Sequence, residues 1–217
     1  MLRERGERLI ATLSRHFPAA MPEPGGVLLE IGSGVGYLME AASRKFQPAR
    51  IIGLDIAPAM IEKAKERLAR DAVDIPAEFM SYDGISVPIA DHSVDYIYSV
   101  ACLQHIPKPY VYNLFGEMLR VLRSRAYATL HFLSFAALTV PGKKMNLRLE
   151  IAQQLAGAEG HWHHFYTREE LLQVLTHGYD ASGVSVVEAE GALWAAFTNK
   201  SFQDMPSTLS NLPTSVG

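Results

Sequence analysis

The sequence predicts a doubly wound α/β domain, a mostly parallel sheet with helices on both faces. Three observations carry this. Strand-like apolar runs alternate with amphipathic stretches from Val27 to Leu133. The first run passes straight into the glycine loop Gly32-Ser33-Gly34-Val35-Gly36, and two strand-like segments, 184–188 and 192–198, close the pattern around Glu190-Gly191. Alternation of this kind implies parallel strands joined by helical crossovers, and the closing pair reads as a hairpin.

Leu9, Leu13 and Phe17 recur at four-residue spacing with Ile10 beside them, which predicts an amphipathic helix over 2–17, followed by a linker to Gly26. Strands follow at 27–31, 50–55, 77–80, 94–100 and 126–133, with helices at 36–46, 58–70 and 110–123. Pro58 suits the first turn of its helix, since its missing N–H would have no partner there. The rhythm breaks at 134–166, with a helix expected over Lys144–Ala156 and then the ring-rich run Gly160-His161-Trp162-His163-His164-Phe165-Tyr166. Thr167-Arg168-Glu169-Glu170 has the form of a capping box opening a helix over 168–177, and Gly178 suits its end. Residues 201–217, rich in Ser, Thr, Pro and Asn, predict a mobile tail. The domain expected is therefore 1–200, with 1–24 an N-terminal helix and linker and 134–166 a substrate-side insertion.

A length of 217 residues with 48% apolar side chains suits one domain with a full core. A formal charge of −3 offers no general attraction to phosphate backbones, so no nucleic-acid partner is expected. Cys102 is the single cysteine, which excludes an internal disulfide and suits a reducing, cytoplasmic compartment. No run approaches the length of a membrane-spanning helix, and Met1–Arg8 carries charges of both signs rather than the apolar core of a signal peptide.

The chemistry concentrates at the glycine loop. Glycines allow a sharp turn and close approach of a ligand, and the helix that follows offers unpaired N–H groups. Asp55 ends the next strand roughly 20 residues on, where nucleotide-binding folds set a carboxylate against ribose hydroxyls. Dinucleotide loops require a small residue at the position held here by Tyr37, so a nicotinamide cofactor fits poorly. The run Glu30-Ile31-Gly32-Ser33-Gly34-Val35-Gly36 resembles instead the first motif of the class I S-adenosylmethionine-dependent methyltransferases, acid-x-G-x-G-x-G. Asp55-Ile56-Ala57-Pro58-Ala59-Met60, Phe79–Gly84 and Pro88–Ile106 resemble the family's next segments in order, the last in its small-molecule, type 11-like branch.

The resemblance implies a Rossmann-like seven-stranded sheet with an antiparallel terminal strand, and S-adenosyl-L-methionine as cofactor. It puts Glu30, Gly32 and Gly34 near the methionyl part, Asp55 on the ribose and Asp83 near the adenine, with Tyr37, Ile56, Met60, Gly84 and Val100 completing the cofactor contacts. His105 is placed beside the methyl group, as a proton acceptor or as a pocket wall. Trp162, His164 and Tyr166, in the ring-rich insertion, are the expected contacts of a small-molecule acceptor; packing of that segment into the core is the other reading. No metal site is expected, because His161, His163 and His164 cannot all point to one side of a regular element. The family's Pro-Gly turn before its fifth strand is replaced by Ser124-Arg125, which predicts a rearranged turn beside an intact pocket. Asp95 opens its strand and reads as structural. An NAD(P)-dependent oxidoreductase and a non-catalytic cofactor-binding scaffold are the alternatives.

Overall fold

A computed structural model describes residues 2–138, 151 and 163–199. Helix α1 (Leu2–His16) leads through a short 3-10 turn into β1 (Val27–Ile31), α2 (Tyr37–Phe46), β2 (Arg50–Asp55), α3 (Pro58–Arg70) and β3 (Ala77–Ser81). Next come β4 (Val94–Ser99), a 3-10 turn over Leu103–His105, α4 (Lys108–Val121) and β5 (Leu122–Ser134). After the undescribed segment stand β6 (Phe165–Tyr166), α5 (Arg168–Gln173), a π turn over Val174–Gly178, and the hairpin β7 (Ser182–Ala189) and β8 (Ala192–Thr198). The helix expected over Lys144–Ala156, Trp162 and the terminal 201–217 lie outside the described residues.

The strand order is β3-β2-β1-β4-β5-β8-β7, parallel from β3 to β5, with β8 antiparallel to both of its neighbours. Chain order reverses between β1 and β4, the place where such sheets open a crevice beyond their carboxyl ends. Successive residues serve opposite faces: Leu28 packs with Ile10, Leu13 and Met39 beneath α1 and α2, and Leu29 with Leu114, Phe115 and Met118 beneath α4. Among the described residues no helix is long and apolar enough to cross a membrane.

The sheet has an eighth strand that the sequence did not announce. Leu133 and Ser134 pair with Phe165 and Tyr166, so β6 continues along the edge of β5 beyond the point where β4 stops at Ser99. This returns the chain to the carboxyl end of β4. The missing Pro-Gly turn is replaced by a bulge: between paired positions Val94↔Leu122 and Tyr96↔Tyr127, β4 advances two residues and β5 five. Arg125 takes the left-handed conformation there, φ 64°, and the Arg123 guanidinium pairs with Asp95. Asp95 also accepts the Val27 N–H at 2.8 Å, which makes it a structural tie at the sheet's amino end.

Candidate active site

The glycine loop is tied to the ends of two strands. Gly32 and Ser33 N–H groups both donate to the Leu54 carbonyl, at 2.8 and 2.9 Å, and Gly34 N–H donates to Asp55 Oδ2 at 2.9 Å. Asp55 Oδ1 accepts the Ala57 N–H at 2.9 Å, which fixes the residue that opens α3 against the end of β2. Gly32 stands at φ 79°, and a Cβ there would lie 2.2 Å from Cys102 Sγ, so only glycine fits. At Gly34 a Cβ would meet nothing closer than Met60 Cε at 3.8 Å, which leaves the loop's outer side open to a ligand.

A cavity of about 590 Å³ opens over this loop, lined by Gly32, Asp55, Ile56, Met60, Tyr82, Ala101, Cys102, His105, Ile106 and His163. Of the residues expected to bind cofactor, the structure brings Gly32, Asp55, Ile56 and Met60 to this wall, with His105 across from them. Gly34 stands one hydrogen bond behind, through Asp55. Glu30 is buried beneath the loop, where its Oε2 accepts from Tyr98 at 3.1 Å; burial pushes its carboxyl well above the usual range, against the pull of that bond, and Asp55 adds to the rise. Val100 is buried in the core under the same end of β4. Tyr37 turns to Arg67, whose guanidinium lies 4.2 Å from its ring centre. Asp83 is exposed and its Oδ1 accepts from Ser86 and Ile85, which hold its carboxyl below the usual range; Gly84 lies against Ile56.

On the other wall, Gln104 Nε2, which can only donate, lies 3.3 Å from His105 Nε2, so in the neutral ring that nitrogen accepts and Nδ1 carries the proton. The His105 and His163 rings are 4.8 Å apart, and the His164 N–H donates to the Gln104 carbonyl at 2.7 Å. His164 itself is half-buried; burial, Lys108 and His163 push its pKa down, favouring the neutral ring. Tyr166 departs from the expected acceptor wall: it is fully buried in β6 with its ring 4.8 Å from Phe132, which is the core-packing alternative. Of the lining residues that sequence reasoning passed over, Ile106 follows the 3-10 turn beyond β4, and Tyr82 and Ala101 follow strand ends at the carboxyl edge of the sheet. That position is the one signal that could have marked them. Cys102 reads in sequence as a small buried residue and here touches the cavity; burial, with Asp55 and Glu30 nearby, pushes its thiol up to about 12, so it is neutral and a poor nucleophile.

A methyltransferase-domain family model matches residues 28–125, which hold the glycine loop, Asp55, Asp83 and His105. A Mycobacterium avium protein named an uncharacterized methyltransferase is 29% identical over 182 residues, covering 84% of this chain and 66% of its own length. These matches support a class I S-adenosylmethionine-dependent methyltransferase. Two solved structures share the fold. Phosphoethanolamine N-methyltransferase 2 from Haemonchus contortus, in complex with S-adenosyl-L-methionine, superposes with a TM-score of 0.68 at 15% identity, over 88% of this chain and 52% of that one. A SAM-dependent methyltransferase from Methanosarcina mazei gives 0.63 at 21% identity, over 86% and 98%. The chain thus spans about two thirds of its mycobacterial relative and about half of the Haemonchus enzyme. S-adenosylmethionine is the cofactor of this methyltransferase family. The residues present fit it: an open loop at Gly34, a strand-end carboxylate at Asp55, and a cavity within the range of cofactor sites.

Proposed function

We propose that this protein transfers the methyl group of S-adenosylmethionine to the oxygen or nitrogen of a small-molecule acceptor, in the cytoplasm and without a nucleic-acid partner. One observation carries the reading: the same cavity is walled on one side by Gly32, Asp55, Ile56 and Met60 and on the other by His105, Ile106 and His163. The bound cofactor would supply a methyl group already activated by its sulfonium. What this chain then has to do is hold the acceptor in line and keep water out. Transfer would break the methyl–sulfur bond and leave its electron pair on sulfur as the bond to the acceptor formed, and a hydroxyl or ammonium acceptor would also have to give up a proton.

In this reading Glu30, Gly32 and Gly34 serve the methionyl end, Asp55 the ribose and Asp83 the adenine, with Tyr37, Ile56, Met60, Gly84 and Val100 shaping the cofactor's surroundings. Trp162 and His164 belong to the acceptor side. His105 is the candidate for the proton, and its uptake at Nε2 would displace the Gln104 donor.

Calorimetry with S-adenosylhomocysteine and with NADH, followed by incubation with methyl-labelled S-adenosylmethionine and a metabolite extract, tests the proposal. Binding of S-adenosylhomocysteine and label in small molecules are expected. Binding of NADH alone would overturn it in favour of an oxidoreductase, and cofactor binding with no label transferred would favour a scaffold.

A further inference from the structure

We infer that a second cavity, next to the first, binds the anionic end of the acceptor, which makes the acceptor a small molecule carrying both a phosphomonoester or carboxylate group and an N–H or O–H group. The inference rests on the methyl-transfer reading above and specifies its substrate class. The cavity, about 470 Å³, lies between α1 and the carboxyl ends of β4 and β5, and is lined by Arg5, Arg8, Arg15, Gln104, Trp194 and Glu190 among others. Ala101 lines both cavities, and Gln104 of this one is hydrogen-bonded to His105 of the other.

Arg5, Arg8 and Arg15 recur on one face of α1, and no ion pair engages any of them among the described residues. The acids of that helix do not match them: Glu7 pairs with Arg44 on the α2 side. Among the described residues Glu190 is the single acid on the cavity wall, which leaves an excess of positive charge there in a chain whose formal total is −3. An ordinary solvated face would end there. This one borders a wall of buried residues: Trp194 is 5% exposed, with its ring 4.7 Å from His131, and Gln104 is 8% exposed.

Gln104 Oε1 is the second observation. It is buried and has no hydrogen-bond partner among the described residues. A buried acceptor left without a donor is costly, and because Gln104 lines this cavity, a ligand N–H or O–H bound at that wall is the donor we assign to it. A ligand that meets both demands has a donor group at Gln104, next to His105, and an anionic group toward the guanidiniums, which suit phosphate and carboxylate by their forked geometry.

The test titrates the protein, saturated with S-adenosylhomocysteine, with phosphoethanolamine, β-alanine and ethanolamine, following heat or Trp fluorescence. At least one of the two anionic amines should bind ten or more times more tightly than ethanolamine, and which one leads tells phosphomonoester from carboxylate. The double variant Arg5→Gln, Arg8→Gln should weaken that binding at least tenfold, with Lys at both positions restoring part of it, while S-adenosylhomocysteine affinity changes less than twofold. Equal binding of all three amines, no binding, or an unchanged double variant would overturn the inference. Failure of S-adenosylhomocysteine itself to bind would overturn the methyl-transfer reading instead, so the two failures are read on separate ligands.

Discussion

Asp55 Oδ2 accepts the Gly34 N–H at 2.9 Å, so the carboxylate proposed to hold the cofactor's ribose also clasps the glycine loop. Its other oxygen holds the first turn of α3 through Ala57. Asp55→Ala should therefore lose about 2 kcal/mol or more of S-adenosylhomocysteine binding, roughly thirtyfold, since hydrogen bonds to a charged acceptor go unmade. Asp55→Asn, which keeps one accepting oxygen, should lose less. Calorimetric affinities equal to the parent's for both variants would remove Asp55 from the site.

Arg67 holds the same loop from beneath. It is 4% exposed, donates to the Val35 and Gly36 carbonyls at 2.7 and 3.0 Å, and pairs at 2.6 Å with Glu40, itself 1% exposed. Breaking a buried pair by removing one member costs about 3–5 kcal/mol, because the other charge is left in a low-dielectric setting. Arg67→Met should thus lower stability in chemical denaturation by about that amount, less whatever Arg3 and Arg44, which also reach Glu40, can offset. Adding Glu40→Gln should recover part of the loss. A single variant as stable as the parent would show that the pair is not holding α2 and α3 together.

Glu30 makes a prediction in the opposite electrostatic sense. Its carboxyl titrates well above the usual range, mainly because it is buried, so the unfolded chain releases this proton at lower pH than the folded one. Its contribution therefore favours unfolding increasingly as pH rises from the ordinary carboxylate range toward the raised value, and vanishes below that range. Glu30→Gln, which still accepts from Tyr98, should be more stable than the parent at pH 7 and equal to it near pH 4, while binding S-adenosylhomocysteine more weakly. A stability difference that does not change with pH would sink this account.

The parallel strands were legible because strands buried on both faces are continuous apolar runs, as in Val27-Leu28-Leu29 and Ile51-Ile52-Gly53-Leu54. The glycine loop and the Thr167 cap were legible because their chemistry is local. What escaped depends on distant partners. Arg67 reads in sequence as one more charge on the outer face of α3; it is inside because Glu40 comes from another helix. The pairing of β6 is two residues long and rests on an edge of β5 more than 30 positions away, so no periodicity could announce it, and Tyr166 went to the core with it. The site followed the same division: Gly32 and Asp55 stood out by spacing, while which rings of 160–166 line the cavity, His163 but not the buried Tyr166, depends on the distant pairing of β6.

Glu170 joins the local to the distant. Its N–H donates to Thr167 Oγ1 at 3.1 Å and its Oε2 accepts from the Thr167 N–H at 3.4 Å, which completes the capping box of α5. Its Oε1 accepts from Tyr112 and, at 2.5 Å, from Lys108 at the start of α4, so one side chain ties the two helices. Thr167→Ala should cost about 1 kcal/mol, the ordinary value of an N-cap, whereas Glu170→Ala should cost more, about 2 kcal/mol, because the charged contact goes as well. Burial works to raise the Glu170 pKa, but the Lys108 and Tyr112 bonds bring it below its ordinary value. Its extra stabilisation is therefore complete above the ordinary carboxylate range and lost as pH falls through the lowered value. Denaturation midpoints measured from pH 7 to pH 3 should show the gap between parent and Glu170→Ala narrowing with acid, while the Thr167→Ala gap holds nearly constant; parallel curves for both variants would mean that Lys108 and Tyr112 contribute nothing through Glu170.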